Sequence, residues 1–292
     1  MERLIEKAKV LTEALPYIQR FAGKIVVIKY GGSTMQEERL RHSFAEDVVL
    51  MKFVGLNPVV VHGGGPQIDE VLQRIGKKTT FVRGLRVTDA ETMEVVEMVL
   101  VGKINQDLVR LINQHGGRAV GLSGKDGELF RARRFMFEED SEERKGTNDI
   151  GFVGEVDSVN PAIIRTLDQD RFIPVIAPIG VDAEGQTYNI NADLVAGKLA
   201  AALDAHKLIL LTDVPGILDP VGELLSSVSR LEAEELIKRK VVSGGMIPKV
   251  RCCIDAVSEG VKKSHIIDGR VEHAVLLEIF TDGGVGTEIY RE

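Results

Sequence analysis

The amino-acid sequence predicts an α/β fold, a three-layer αβα sandwich around a central, mainly parallel sheet. Short β-branched apolar runs such as Ile25-Val26-Val27-Ile28 and Val59-Val60-Val61 alternate with stretches of helical apolar spacing, the order that βαβ units produce. These runs are apolar throughout rather than at every second residue, as in strands covered by helices on both faces. Several of them end in turns that carry glycine, lysine or aspartate. In open α/β sheets, ligands bind beyond the carboxyl ends of the strands.

Residues 1–24 place Leu4, Ala8, Leu11, Leu15 and Ile18 three or four apart between charges, which predicts an amphipathic helix with a break or kink near Pro16. Such a helix either packs on its own domain or meets a partner subunit. A first strand at 25–31 leads to a helix over about 36–54, a strand at 58–62 and a helix over about 66–76. A long helical stretch follows from 89 to about 115 with Thr88 as its N-cap, then a strand at 118–122. Residues 125–158 break the alternation. They are charged and punctuated by glycine, and read as hairpins over one end of the sheet, with EEDSEERK at 138–145 a solvated loop.

The apolar run 172–179 restores the pattern, followed by a turn at 182–186, a short strand at 188–191 and an alanine-rich helix over about 192–205. A strand at 207–211, helices at about 230–240 and 246–261, a strand at 264–267, a helix at 271–278 and a strand near 287–290 complete the chain. No Pro/Ser-rich linker divides it and no repeat is visible. The expected organisation is an N-terminal helix (1–24) and two units, 25–195 and 196–292, joined at the alanine-rich helix.

The 292 residues are 44% hydrophobic and 28% charged with a formal net charge of -7. A general basic footprint is absent, so nucleic acid is not an expected partner. Cys252 and Cys253 are adjacent, fit no zinc or redox spacing, and read as helix packing residues of a reducing compartment. The six histidines form no HExxH pair, which leaves no protein-held metal to predict. Glu2, Arg3, Glu6, Lys7 and Lys9 interrupt the N-terminal apolar residues, against a secretory segment, and no run approaches a membrane span. The expected location is cytoplasmic.

Neither common nucleotide fingerprint is present: there is no GxxxxGK followed by Ser or Thr, and GGGPQI at 63–68 lacks the last glycine of GxGxxG. Instead, KIVVIKYGGS sets Lys29 beside Gly31 and Gly32 where a buried strand emerges. HGGGPQID places three glycines before a helix that opens near Pro66, aiming free amides at an anion. In GLRVTD, Arg86 precedes a capped helix and suits a bidentate grip on a carboxylate. In TYNINAD, Asn189 and Asn191 alternate and so share one strand face, with Asp193 just beyond at a helix start. SGGMIPKV puts Lys249 in the first turn of a helix, where a cation opposes the dipole and implies an anion to meet. Standing alone, each has an ordinary reading: a strand-end lysine, a turn, a surface arginine, a cap residue. Jointly, two lysines on separate strand-to-helix junctions, an aspartate and glycine amides are the apparatus of phosphoryl transfer, which works by positioning and charge stabilisation. No general base is evident, so the nucleophile is expected to be ionised already, such as a carboxylate with a pKa of about 4.

KYGGS, HGGGPQID, GLRVTD, NINAD, TDVPGIL and GGMIPKV, in this order, resemble the amino acid kinase family and, within it, the acetylglutamate kinases of arginine biosynthesis. Aspartokinases resemble the first strand but differ in the later motifs, and uridylate and carbamate kinases fit Arg86 with NINAD poorly. The resemblance implies ATP as phosphoryl donor, N-acetyl-L-glutamate as acceptor and an acyl phosphate product. Lys29 and Lys249 would stabilise the transferring group, and Asp193 would orient both. Gly31 and Gly32 would meet the nucleotide phosphates, Gly64 contributing an amide as well. Gly64, Gly65, Arg86, Asn189 and Asn191 would hold the acyl amino acid, Arg86 on its α-carboxylate. Asp213, Gly216, Leu218 and Ser243 would line the nucleotide pocket, and Mg2+ would be held mainly by the phosphates.

Relatives inhibited by arginine carry an N-terminal helix that interlaces dimers into a hexameric ring. The resemblance thus implies an arginine-sensitive homohexamer, a trimer of dimers, with Tyr17, Glu278 and Gly283 of the FTDGGVGT loop as regulatory candidates. It leaves open a PII signalling protein as a partner of the ring. The competing readings are a kinase of the same fold acting on free glutamate, aspartate or carbamate, and a catalytically silent arginine-sensing protein.

Overall fold

The computed structural model describes residues 1–137 and 149–292; the loop expected at 138–145 lies outside the described residues. Helix α1 (Glu2–Phe21) precedes β1 (Ile25–Tyr30), α2 (Glu38–Phe53) and β2 (Asn57–His62). Helix α3 (Gly65–Arg74) leads to the hairpin β3 (Phe81–Val82) and β4 (Leu85–Arg86). One helical run comprises α4 (Ala90–Glu97), a π-helical segment (Met98–Asn105) and α5 (Gln106–Gln114), ahead of β5 (Ala119–Ser123). Strands β6 (Phe130–Arg134) and β7 (Val153–Val159) precede α6 (Ala162–Gln169), β8 (Ile173–Ala177), β9 (Ile179–Val181) and β10 (Thr187–Ile190). The last third holds α7 (Ala192–Ala202), β11 (Lys207–Thr212), β12 (Ser227–Ser229), α8 (Arg230–Lys238), α9 (Met246–Ser258), β13 (Lys263–Asp268), α10 (Ala274–Phe280) and β14 (Thr287–Tyr290).

Eight strands form one sheet in the order β12-β14-β13-β11-β1-β2-β8-β5. Every neighbouring pair is parallel except β13 and β14. The expected three-layer sandwich is therefore present, with one antiparallel contact near an edge. Alternation along β1 sends Val26 and Ile28 into one apolar core and Val27 into the other. All three side chains are fully buried, and truncating Ile28 to alanine removes roughly 2–5 kcal/mol of stability.

Three local expectations are corrected. Helix α1 runs through Pro16, so of the break or kink expected there the break is absent. Thr12 and Pro16 both lie on its exposed side, so the carbonyl left without an N–H partner is open to water. The cap of α4 is Asp89, whose carboxylate accepts the Thr92 N–H at 2.8 Å, while the Thr88 hydroxyl donates instead to the Arg86 carbonyl. The short strand ends at Ile190 rather than at Asn191.

The hairpins expected between 125 and 158 are present as the antiparallel pair β6 and β7, which closes a four-stranded barrel with β9 and β10. Cys252 and Cys253 are buried in α9, in the packing role expected of them. Among the described residues, no helix is long and apolar enough to cross a membrane.

Candidate active site

Asp193 stands at the centre of the site, in the first turn of α7. Lys29, from the end of β1, brings Nζ to 3.0 Å from Oδ1, and Lys249, from the first turn of α9, brings Nζ to 2.8 Å from Oδ2. All three side chains are largely withdrawn from solvent. Burial by itself would push the Asp193 carboxyl up, but the two ammonium groups overcome it and hold the pKa at about 2. One carboxylate between two ammonium groups leaves one positive charge uncompensated, and an anionic phosphate group fits that deficit. Helix α9 grips the aspartate a second time, three residues after Lys249: the Cys252 thiol donates to the Asp193 carbonyl at 2.9 Å.

The glycine turns converge on the same place because β1 and β2 are in register. Tyr30 faces His62 across the ladder, and the Gly63 N–H donates to the Tyr30 carbonyl at 2.8 Å. Gly31 is pressed against this junction, where a Cβ would lie 3.1 Å from Lys29 Nζ and 3.4 Å from the Gly63 nitrogen. Gly32 has φ +77°, a left-handed backbone that favours glycine. At Gly64 a Cβ would come within 2.3 Å of Ile104 Cδ1 and 2.6 Å of Leu100 Cδ2. The π-helical segment that carries both side chains thus packs directly on the glycine turn, a constraint invisible in the local sequence.

Arg86 is buried rather than a surface side chain. Its guanidinium is held by Asp69 at 2.5 Å, by the Thr79 hydroxyl at 3.3 Å and by the Gly65 carbonyl at 3.2 Å, and it lies 4.8 Å from the Phe81 ring centre. Asp69 would be raised by burial, yet its bonds to Arg86 and Thr79 keep it below the usual carboxylate value. Asn189 joins the same wall, with Nδ2 3.5 Å from the Thr88 hydroxyl. Gly65, Arg86 and Asn189 are thereby linked, through the Thr88 hydroxyl that donates to the Arg86 carbonyl.

Asn191 does not share a strand face with Asn189. It is the N-cap of α7, and its carboxamide oxygen accepts the Asp193 and Leu194 N–H groups at 2.8 and 3.4 Å. This oxygen orients the turn that presents Asp193, and satisfies helix donors that lack intrahelical partners.

Asp213 follows the end of β11 and is exposed, as is Ser243 ahead of α9. Gly216 packs against β14, where a Cβ would sit 2.5 Å from the Thr287 hydroxyl, and Leu218 bridges to Leu224. Among the described residues no group of three or more His, Cys, Asp or Glu side chains is arranged to hold a metal.

Tyr17, Glu278 and Gly283 meet in a separate cavity of about 210 Å³ between α1 and the C-terminal part of the sheet. Lys207 Nζ lies 3.0 Å from His265 Nε2, and His265 Nδ1 lies 2.7 Å from Glu278. The ammonium requires Nε2 as an acceptor, so the ring is neutral with its proton toward Glu278. Burial opposes the Glu278 charge, but His265 and the Val285 N–H hold its pKa below the ordinary value. The Asp282 carboxylate beside the Tyr17 hydroxyl raises its pKa.

Sequence reasoning missed His62. It is fully buried at the end of β2, with Nδ1 2.9 Å from the Gly63 carbonyl and Nε2 3.2 Å from Asn105 Nδ2. The available signal was a polar residue closing a wholly apolar strand immediately before three glycines.

The sequence profile described as the amino acid kinase family matches residues 24–268. Acetylglutamate kinase from Geobacter sp. (strain M21) is 62% identical over 290 residues, covering 99% of each chain. Its counterpart from Geobacter sulfurreducens is 60% identical over 292 residues, covering 100% of each. Among solved structures, N-acetylglutamate synthase from Neisseria gonorrhoeae complexed with coenzyme A and N-acetyl-glutamate superimposes with a TM-score of 0.85 at 25% identity, over 98% of this chain and 63% of the synthase. This chain therefore spans less than two thirds of that protein. Carbamate kinase from Giardia lamblia bound to AMP-PNP matches with a TM-score of 0.66 at 18% identity, over 93% of this chain and 100% of the other, a likeness of fold alone.

Proposed function

The chain belongs to the amino acid kinase family, and from that premise we propose that it transfers the γ-phosphoryl group of ATP to the side-chain carboxylate of N-acetyl-L-glutamate. The product is N-acetyl-L-glutamyl 5-phosphate, an intermediate of arginine biosynthesis. The carrying observation is the buried Lys29–Asp193–Lys249 cluster beside two glycine turns, in a chain about 60% identical to acetylglutamate kinases over its whole length.

Residues 25–195 hold the acyl amino acid: Arg86, anchored by Asp69, takes the α-carboxylate, and Gly64, Gly65 and Asn189 take the remaining polar atoms. Asn191 acts through Asp193, as the cap that orients it. Residues 196–292 hold the nucleotide, with Asp213, Gly216, Leu218 and Ser243 around it and Gly31 and Gly32 near its phosphates. As the attacking carboxylate is already ionised, no base is needed. The residues instead align attacker and phosphorus, exclude water, and let the two ammonium groups balance charge that spreads over the equatorial oxygens. Mg2+ accompanies the phosphates and neutralises part of their charge.

The second cavity is read as the arginine site. The ionised Glu278 suits a cationic guanidinium or amino group, and Tyr17 places α1 at its rim. Leu4, Leu11 and Leu15 of α1 are exposed, an apolar stripe that suits pairing with other copies in a hexamer. A cytoplasmic location agrees with this chemistry.

The test is ATP-dependent acyl phosphate formation, trapped as the hydroxamate, with N-acetyl-L-glutamate and free glutamate compared, each with and without arginine. Turnover of the acetylated acceptor alone, suppressed by arginine, is the expected result. Turnover of free glutamate instead, or of neither, overturns the assignment.

A further inference from the structure

The side-chain hydrogen bonds of His62 go to the Gly63 carbonyl and to Asn105, not to the lysine cluster, and they determine where a backbone amide of the site points. Asn105, the last residue of the π-helical segment, sends Nδ2 to the Val175 carbonyl at 2.8 Å and to His62 Nε2 at 3.2 Å. The opposite orientation of this carboxamide would set its oxygen against the Val175 carbonyl, acceptor to acceptor, so the nitrogen must occupy that position. Nε2 of His62 is then an acceptor, and the ring proton resides on Nδ1. That proton faces the Gly63 carbonyl at 2.9 Å. Asn105 fits here because residue 121 is glycine: a Cβ on Gly121 would lie 1.9 Å from Asn105 Oδ1.

The Gly63–Gly64 peptide is planar and trans, so its C=O and N–H point in opposite directions. Drawing the Gly63 carbonyl inward to His62 turns the Gly64 N–H outward. Leu100 and Ile104 close the side where a Gly64 side chain would stand, and the Gly63 N–H is already given to Tyr30. The turn is thus held at Gly63 N, at Gly63 O and at the Gly64 Cα, and the direction of one donor remains as its output. We propose that His62, in its Nδ1–H tautomer, is a positioning residue that aims the Gly64 amide at the transferring phosphoryl group. This rests on the reading of the site as a phosphoryl-transfer centre. The ring stays neutral at working pH because burial lowers its pKa to about 4.

Two measurements on the full-length protein test this. Long-range ¹⁵N–¹H NMR of histidine-labelled protein at neutral pH reads the tautomer directly, the His62 signal being picked out of the six by its sequential backbone correlation to Gly63. An Nδ1–H pattern is expected, and an Nε2–H or imidazolium pattern overturns the proposal even if every variant fails to fold. Kinetically, the Asn amide nitrogen replaces Nδ1 and the Gln amide nitrogen replaces Nε2. His62→Gln is therefore expected to lower kcat about tenfold to hundredfold, near the lower range for loss of one such donor, with KM for ATP changed less than about threefold. His62→Asn should recover most of the rate. Equal losses in both variants at matched thermal stability, or no loss in His62→Gln, refute the positioning role. Absence of acyl phosphate formation by the unmutated enzyme overturns the functional reading instead, and leaves the tautomer measurement intact.

Discussion

Lys249 Nζ lies 2.8 Å from Asp193 Oδ2, and the opposite oxygen of that carboxylate faces Lys29. Replacing Asp193 by Asn keeps the shape and removes the charge that separates two cations. Removing one partner of a buried ion pair costs about 3–5 kcal/mol, so Asp193→Asn should melt several degrees below the parent in the absence of nucleotide. ATP should raise its melting temperature more than that of the parent, since phosphate replaces the missing anion. Its kcat should fall by about a hundredfold or more. Calorimetry showing the same melting temperature for both would contradict this account. The parent's own Asp193 charge stabilises the fold above the ordinary aspartate pKa near 4, and that contribution is lost only as pH falls through about 2.

Arg86 reaches its proposed ligand from a fixed seat provided by Asp69, Thr79 and Gly65. Arg86→Ala should raise KM for N-acetyl-L-glutamate by about tenfold to hundredfold, the range of hydrogen bonds to charged groups, and change kcat less. Arg86→Lys should not restore binding, because a single ammonium cannot reproduce the guanidinium fork. A loss confined to kcat would reassign the residue to the transition state.

Deleting residues 1–22 removes the exposed leucines of α1 and the Tyr17 wall of the second cavity. The expected products are dimers with weakened arginine inhibition, followed by light scattering and by the hydroxamate assay. A hexamer that survives the deletion with unchanged inhibition would remove α1 from both roles.

The start of α10 is tied to α2 by His273, whose N–H donates to the Ser43 hydroxyl at 2.8 Å and whose ring lies 2.6 Å from Asp47. The hydrogen bond to Asp47 raises the His273 pKa, and burial raises that of Asp47 to about 6. A histidine raised in the native state stabilises below its unfolded pKa near 6.5, and that stability is lost as pH rises through the native value. The melting temperature should therefore fall with pH above about 6.5 more steeply in the parent than in His273→Gln. Parallel profiles would show that the pair does not matter.

The sheet was legible because its central strands are unbroken apolar runs, and most of the site because its chemical residues stand at strand ends or helix starts that the local pattern marks. Lys29 was found where a buried strand emerges and Asp193 just beyond a short strand, whereas Arg86 was found as an arginine ahead of a capped helix and Lys249 as a cation opposing the dipole in the first turn of another. Asn191 was misread because the two-residue period was extended one position too far: a strand end and a helix cap share the residue type, and only the hydrogen bonds distinguish them. Thr88 lost the cap to Asp89 for a similar reason, its hydroxyl being taken by Arg86. The barrel of β6, β7, β9 and β10 was readable only as hairpins, since its closure depends on pairings between strands distant in sequence. The contribution of His62 depends on Asn105 and Val175, 43 and 113 positions away, and no local pattern encodes it.

Strand β1 shares ladders with β2 on one side and β11 on the other, so both parts of the chain are woven into one fabric. Such a sheet cannot be opened like a book, because splaying β1 from β11 would strand backbone groups in an interior that water does not reach. Its soft mode is torsion, a change in the winding of neighbouring strands, together with sliding of the helices laid over it. The gap between Lys29 and Lys249 is accordingly governed by something closer to a torsion spring than a hinge pin, and a substitution that stiffens sheet twist far from the lysines should alter their spacing without touching either.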